Sequence, residues 1–499
     1  MPPTPEPSAR VTPGPIRLCS DDDLASTFDL AIIGGGIYGV SALLEASRRG
    51  LRAVLLEADD FGGGVSSSSL RIIHGGLRYL QSLDIARFRD SVRERRWFME
   101  TFPEAIEPLN CLVPLPGKGL RRPSLFACAS VMNNALNAIF GGSTPSIGRA
   151  RVVAKEGYLR SVRGVGRSDI RGVGSWQDGL MVSSERVLIC MLRLACDLGG
   201  RAMRNTRVTG VESADAITLT CDRLGSDAVQ VRARRVLNCA GPSSGTVAEL
   251  LGGAHEKLFD PIRAFNVLIN VDANADDAVA LDVASLEGRM LFVVPGRAGL
   301  SIGTWEEPAD GGSLPPRSSV ERLLDAASNV LGRSDLTIES VTAVWSGLLP
   351  RAANGEMSPS DRPVVVDHGA AGGLRGAFSV SGVKYTTARR VAEILLDAAV
   401  TNAETPQPIR PISDPLIPVD WLTAPPHQAE TEDVVRRIVR DEAAESVDDI
   451  CRRRTAWYAS PARLREVAPA IGAAFGLDSE ASSRAVEASL EASRAMRDG

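Results

Sequence analysis

Phe28-Asp29-Leu30-Ala31-Ile32-Ile33-Gly34-Gly35-Gly36-Ile37-Tyr38-Gly39 opens the ordered part of the chain and decides the fold. The apolar run 28–33 predicts a buried parallel strand. Gly34 permits the tight turn, Gly36 lets the backbone approach a pyrophosphate, and Gly39 lets a helix pack closely on the strand. From Gly39 to Arg49 the pattern predicts that helix, whose N-terminal N–H groups and dipole favour an anion. Gly50 stops it, 51–56 is the next strand, and Glu57 falls where an acid hydrogen-bonds a ribose hydroxyl, about twenty residues past the glycines. A glycine loop alone is weak evidence. Strand, glycines, helix and acid in this order predict dinucleotide binding, and an acid at 57 would repel the extra phosphate of NADP.

The next stretch is rich in Gly and Ser: Phe61-Gly62-Gly63-Gly64-Val65-Ser66-Ser67-Ser68-Ser69-Leu70-Arg71. Its backbone and hydroxyl donors, Ser66, Ser67 and Ser69 among them, suit wrapping an extended cofactor. Ile72-Ile73-His74-Gly75-Gly76-Leu77-Arg78-Tyr79-Leu80 follows. Together, 66–80 closely resembles the corresponding run of the FAD-dependent glycerol-3-phosphate dehydrogenases, which carry a basic residue where Arg71 stands and the same Ile-His-Gly-Gly-Leu-Arg-Tyr-Leu. The resemblance implies FAD as cofactor. It also implies an α/β fold: a two-dinucleotide-binding-type FAD domain, a mixed antiparallel-sheet substrate domain and a C-terminal helical domain.

Composition is that of a globular chain. Its 499 residues are 44% apolar and 23% charged, with a formal charge of -5, enough for two or three domains with a sizeable core. The acidic balance gives no reason to expect nucleic-acid binding. No apolar run approaches a membrane span. Eight cysteines without a CxxC pair and four histidines predict no metal site. Scattered thiols of this kind are expected as buried small hydrophobes in a reducing, cytoplasmic setting.

Residues 1–26, with several prolines and no apolar core, predict a disordered tail. The oxidoreductase domain is expected over 27–404, with FAD-binding parts at about 27–105, 160–250 and 355–404 and a substrate part at about 251–350. Seven prolines from Pro406 to Pro426 predict a linker before the helical domain at 427–499. Within the substrate part, Ser318-x-x-Glu321 predicts a capping box, with Val320, Leu323, Leu324, Ala327 and Leu331 on one helical face.

Two further cofactor segments follow from the resemblance. The strand ending Asn238-Cys239-Ala240-Gly241-Pro242 is where such flavoproteins bring Ala240 and Gly241 close to the cofactor. Val208, on the strand upstream, is either an adenine contact or plain sheet core. In Ser381-Gly382-Val383-Lys384-Tyr385-Thr386-Thr387-Ala388-Arg389, the positions Gly382, Lys384, Thr386, Thr387 and Arg389 match the family pattern, and Ser381 and Ala388 do not.

Oxidation of an alcohol by a flavin needs a hydride acceptor, a group to take the hydroxyl proton and a group to hold substrate charge. The resemblance places Lys384, Arg78 and Tyr79 near the flavin ring, with Lys384 positioning or polarising the reacting oxygen. His74, with Gly75 and Gly76 beside the cofactor, is either a packing histidine or a proton carrier. Arg362 is a second site arginine or the partner of a nearby acid.

The wall of the site departs from the family. Ser346-Gly347-Leu348-Leu349-Pro350-Arg351 has Leu349 where the family has a phosphate-binding arginine, with Arg351 two positions on as the substitute. No histidine occurs near Arg263–Val267, and Trp305 adds bulk in the family's Ile-Gly-Thr-Thr-Asp run. These changes imply altered specificity, while the resemblance implies oxidation of glycerol 3-phosphate or a related polyol phosphate or hydroxy acid, with electrons passed to a quinone or another acceptor. A flavin oxidase of an amine or amino acid, and a flavin-binding partner protein with degenerate catalysis, stand as alternatives. Homo-oligomers remain open. Finally, Leu125, Cys128, Met132, Leu136 and Ile139 share a helical face beside Lys118, Arg121 and Arg122: a peripheral contact with the cytoplasmic membrane, or a helix packed on the protein's own core.

Overall fold

The computed structural model describes residues 10–141, 147–164, 169–253, 258–273, 276–283, 290–310, 312–352, 357–360, 362–400, 409–412, 415–417, 422 and 424–497. Two sheets organise it. In the eight-stranded sheet, Phe28–Ile33 lies between Val229–Asn238 and Ala53–Leu56, parallel to both. Ala377–Ser381 and Arg201–Met203 extend it in parallel, Val364–Asp367 pairs antiparallel at one edge, and the hairpin Thr206–Ser213/Ile217–Arg223 attaches to Val229–Asn238. Apart from Asp29 the central strand is apolar and buried, because helices cover one face and the hairpin layer the other. Helices Ile37–Arg48, Ser184–Asp197 and Ala388–Ala399 share one core with Leu30, Ile32 and Leu55.

The nine-stranded second sheet is antiparallel except where Ala278–Asp282 runs parallel to Ile106–Leu115. Five of its strands come from 261–350, as the substrate part predicts. Ile72–Ile73, Ile106–Leu115, Arg151–Val153 and Gly172–Met181 also belong to it, so stretches expected to serve the cofactor build the substrate sheet as well. The expected helix is Arg317–Leu331, and Val320, Leu323, Leu324, Ala327 and Leu331 are buried. Its N-cap is Pro316 with no side-chain cap. The capping box predicted at Ser318 does not form, because helix geometry begins one residue before that serine.

Residues 10–26 correct the expectation of a disordered tail. Gly14 N–H donates to Asp197, Cys19 N–H to Ala202 and Ile16 N–H to Asp441, and a short helix covers Asp21–Leu24. Residues 1–9 and about half of the proline-rich stretch lie outside the described residues. The C-terminal helices Gln428–Glu442 and Ser479–Ser493 pack with Leu268, Ala343 and Trp345 of the second sheet. Buried charge ties them to the cofactor side: Arg454 donates to both oxygens of Asp60 at 2.8 Å, and Arg186 pairs with Glu442. Removing one partner of such a pair costs about 3–5 kcal/mol, because the other charge is left buried and uncompensated.

Candidate active site

The C-terminal ends of the parallel strands converge on the Gly34–Gly39 turn. Gly34 has φ +103°, and a Cβ there would stand 2.6 Å from Cys239 O. On Gly39 a Cβ would overlap Gly34 O. Both positions therefore demand glycine. Cys239 and Ala240 are brought against Gly34, and Gly241 follows them with open space where a Cβ would stand. Gly36 caps the helix without a side-chain hydrogen bond, and the Ile37 N–H donates to Ser66 Oγ at 2.9 Å. Glu57 accepts from Gly35 N–H at 2.6 Å and from Asp59 N–H at 2.8 Å. It holds the turn as well as pointing an acid toward it, and burial raises its pKa. Val208 is nearly buried in the hairpin whose Thr206 N–H donates to Glu57 O. Five parts of the chain, at 34–39, 57–59, 66, 206–208 and 239–240, are brought together around this turn.

The third segment closes over the first helix. Tyr38 Oη donates to Lys384 O at 3.2 Å and lies against Gly382. Thr386 sits half-buried in the single turn Tyr385–Thr387.

Within the serine loop the expected ligands divide. Ser66 lies beside Gly36; Ser67 Oγ donates to Gly64 O, and Ser69 Oγ accepts from Arg71 N–H. Arg71 is a correction. Its guanidinium donates to Val182 O, Glu185 and Tyr458 Oη and stacks 4.4 Å from the Trp345 ring. It is a buried strut between the sheets and the C-terminal helices. Asn266, which the sequence reading missed, does meet the loop: its Nδ2 donates to Ser68 O and its Oδ1 accepts from Thr304 Oγ1.

Next along the chain, four donors converge on Asp178 of Gly172–Met181. Gly75 N–H and Arg95 reach Oδ1 at 2.8 and 2.9 Å, and Trp176 Nε1–H and His74 Nδ1 reach Oδ2 at 2.9 and 3.0 Å. Burial alone would raise Asp178. The hydrogen bond and charge of His74, with Arg95 and the Trp176 N–H, outweigh it and bring its pKa to about 2. The His74 side chain stays 57% exposed, near Phe292 of the second sheet. A carboxylate in a largely apolar strand was the available signal for Asp178.

Beyond Gly76 the chain turns so that Tyr79 lies between two cations. Lys384 Nζ is 4.4 Å and Arg87 Cζ 4.8 Å from its ring centroid. Arg78 is exposed beside them; neither it nor Lys384 pairs with a carboxylate among the described residues. Burial, reinforced by the charge of Arg78, lowers Lys384 to about 8. Asp84 is the local acid: it accepts from Arg87 at 2.6 Å and lies 3.7 Å from Arg362. Arg78, Tyr79, Lys384 and Arg362 are thus brought together, and Arg87 and Asp84 join them.

The expected substitutes behave differently. The Arg351 guanidinium is 3.0 Å from Asp260, so it is already engaged there. Leu349 is half-buried near the end of its strand, opposite Ile262. Trp305 does not enter a pocket: it is 8% exposed within the core of the second sheet, under Arg322. Arg263 is buried on Glu307 at 2.6 Å. The helix Pro123–Phe140 splits its predicted face. Met132 and Leu136 pack inward toward Leu80, Phe88 and Val92, while Leu125, Cys128 and Ile139 are exposed, with Val131 beside them. No helix among the described residues is long and apolar enough to cross a membrane.

Residues 29–398 match the family model described as FAD dependent oxidoreductase. A glycerol-3-phosphate dehydrogenase of Synechocystis is 27% identical over 395 residues, 74% of this chain and 70% of the relative. Glycerol-3-phosphate dehydrogenase 1 of Mycobacterium tuberculosis is 29% identical over 384 residues, 75% of this chain and 73% of the relative. Among solved structures, the Bacillus halodurans glycerol-3-phosphate dehydrogenase complexed with FAD superposes with a TM-score of 0.69 at 18% identity, covering 95% of this chain and 96% of its own. Glycine oxidase from Geobacillus kaustophilus gives 0.56 at 17% identity, over 75% and 94%. These two likenesses speak to the fold.

Proposed function

The chain belongs to the FAD-dependent oxidoreductase family, homologous to glycerol-3-phosphate dehydrogenases, and we propose that it oxidises a hydroxyl-bearing anion: glycerol 3-phosphate or a related polyol phosphate or hydroxy acid. One observation carries this reading. Among the described residues, Arg78, Lys384 and Arg362 bring an excess of positive charge to Tyr79 and Asp84, and neither Arg78 nor Lys384 pairs with a carboxylate there. Such an excess attracts an anion and disfavours a cationic amine. The relatives' names point the same way.

The glycine cradle fits the cofactor: its two close-packed glycines leave backbone amides at a helix N-terminus facing the position of a pyrophosphate. FAD bound there supplies a two-electron acceptor for the hydride of the carbinol carbon. In our reading Arg78 and Arg362 hold the substrate's charged group. The ammonium of Lys384 polarises and orients the reacting oxygen, and Tyr79 fixes Lys384 through its ring face. His74 takes the hydroxyl proton at Nε2. The second sheet supplies the wall of the substrate site, where Leu349 leaves an uncharged patch. Electrons then pass to a quinone or another acceptor. The exposed side of Pro123–Phe140, next to Lys118 and Arg122, is the surface we assign to contact with the membrane that would carry it.

Anaerobic bleaching of the flavin with each candidate substrate tests this. Glycerol 3-phosphate at millimolar concentration is expected to reduce the flavin at least about 100-fold faster than glycerol, the two or three kcal/mol of one or two charge-assisted contacts. Faster bleaching by glycine or proline would overturn it in favour of an amine-oxidising site.

A further inference from the structure

Asp178 is 2% exposed, yet four donors fill its two oxygens. Three of them need nothing from His74. Gly75 N–H and Arg95 already tie the loop to the strand, and Trp176 lies on the strand itself. The fourth, His74 Nδ1, belongs to a ring otherwise turned to the open side. An ionised carboxylate only accepts hydrogen bonds. Its contact with Nδ1 therefore fixes the proton on that nitrogen and leaves the lone pair on Nε2, which meets no partner among the described residues. We propose that Asp178 is a positioning residue: it holds His74 in the Nδ1–H tautomer with Nε2 directed at the substrate hydroxyl.

The proposal rests on the reading of His74 as proton acceptor. As the C–H bond of the carbinol carbon breaks and its hydride, carrying both electrons, passes to the flavin, the O–H bond breaks, the proton forms a bond to Nε2, and a carbonyl product and an imidazolium remain. Arg95, on the other oxygen of Asp178, already offsets the carboxylate charge, and the buried Cys111 thiol nearby is neutral, pushed well above its ordinary range by burial and by Asp178. The contribution of Asp178 to His74 is therefore direction more than charge.

The chain has four histidines, so ¹⁵N-histidine NMR of the holoenzyme, assigned with His74→Ala, reads the tautomer directly. Neutral His74 is expected protonated at Nδ1. A dominant Nε2–H form in the unmodified protein overturns the proposal, whether or not any variant folds. In Asp178→Asn the carboxamide donates to Nδ1 and the proton is expected to move to Nε2. Anaerobic flavin reduction by glycerol 3-phosphate should then slow at least about 100-fold, the usual reach of a general base. Flavin content should stay unchanged and the substrate Kd within about threefold of the unmodified value, since the base acts in the transition state. If His74→Ala slows reduction and Asp178→Asn does not, the positioning role falls alone. If His74→Ala reduces its flavin normally while the Nδ1–H signal is present, the proton-acceptor reading falls instead.

Discussion

The two sheets meet at the serine loop and present groups of opposite kinds. The parallel sheet offers backbone: amides at strand ends and a helix N-terminus, set by glycines that tolerate no Cβ. The second sheet and the turn beside it offer side chains: His74 held by Asp178, Tyr79 between Lys384 and Arg87, Asn266 on the serine loop. A backbone site is rigid and stands or falls on shape. A side-chain site can lose one member and keep its fold.

The sharpest way to break this contrast is Gly39→Ala. The added Cβ overlaps Gly34 O, a backbone atom that cannot step aside. Overpacking of this kind costs about 1–3 kcal/mol or more, directed at the cradle. We expect the purified variant to carry less than about a tenth of the usual flavin, read from the ratio of 450 to 280 nm absorbance. A variant with full flavin would show that the cradle gives way and that the contrast is false.

Lys384→Met probes the other side. Flavin content is expected to stay normal while the anaerobic reduction rate falls at least about 100-fold, the scale of one lost electrostatic contact to the reacting oxygen. Loss of flavin along with activity would place Lys384 in the cradle instead.

The same lysine sharpens the contrast through pH. Its folded pKa, about 8, lies below the ordinary lysine value because burial, helped by Arg78, disfavours the charge. Between about 8 and the ordinary range the unfolded chain therefore binds more protons at this site than the folded one. Stability should rise with pH across that window by linkage. Activity that needs the ammonium should fall across it. Melting temperature and reduction rate should thus move in opposite directions above pH 8, and Lys384→Met should remove this site's share of both trends. Parallel movement would mean that the ammonium is not the working form.

How much of this was legible in the sequence follows the same division. Gly34, Gly36, Gly39 and Glu57 could be read because a backbone site imposes fixed residue types at fixed spacing on one short stretch. The parallel strand was readable from its apolar run, and the strands Val229–Asn238 and Ala377–Ser381, expected from the resemblance, do lie in the same sheet. Asp178 stands 104 residues from His74, and no local rule links them. Arg71 carried the right residue type in the right motif, yet its guanidinium is turned to Glu185 and Tyr458. Spacing specifies where a backbone goes; it does not specify which way a long side chain turns. Trp305 fails as a pocket residue for this reason too: successive side chains of a strand face opposite sides, and its side is the core.

The smallest expected effect separates sequence position from position in space. Arg351 lies two residues from the missing family arginine and looks like its replacement. Its guanidinium, however, is already placed on Asp260 at 3.0 Å, a half-exposed pair of the kind worth about 0–1 kcal/mol. Arg351→Ala should therefore change the KM for glycerol 3-phosphate by less than about twofold and leave kcat alone, because on the proposed function the cations around Tyr79 carry the substrate's charge. Leu349→Arg is the counterpart: a guanidinium restored near the strand end should lower that KM by about tenfold, the 1.4 kcal/mol of one added charge-assisted contact. If Arg351→Ala instead raised KM tenfold, the Asp260 pair must open on binding. The second sheet would then contribute a mobile arginine to a site that otherwise draws its charge from the turn around Tyr79.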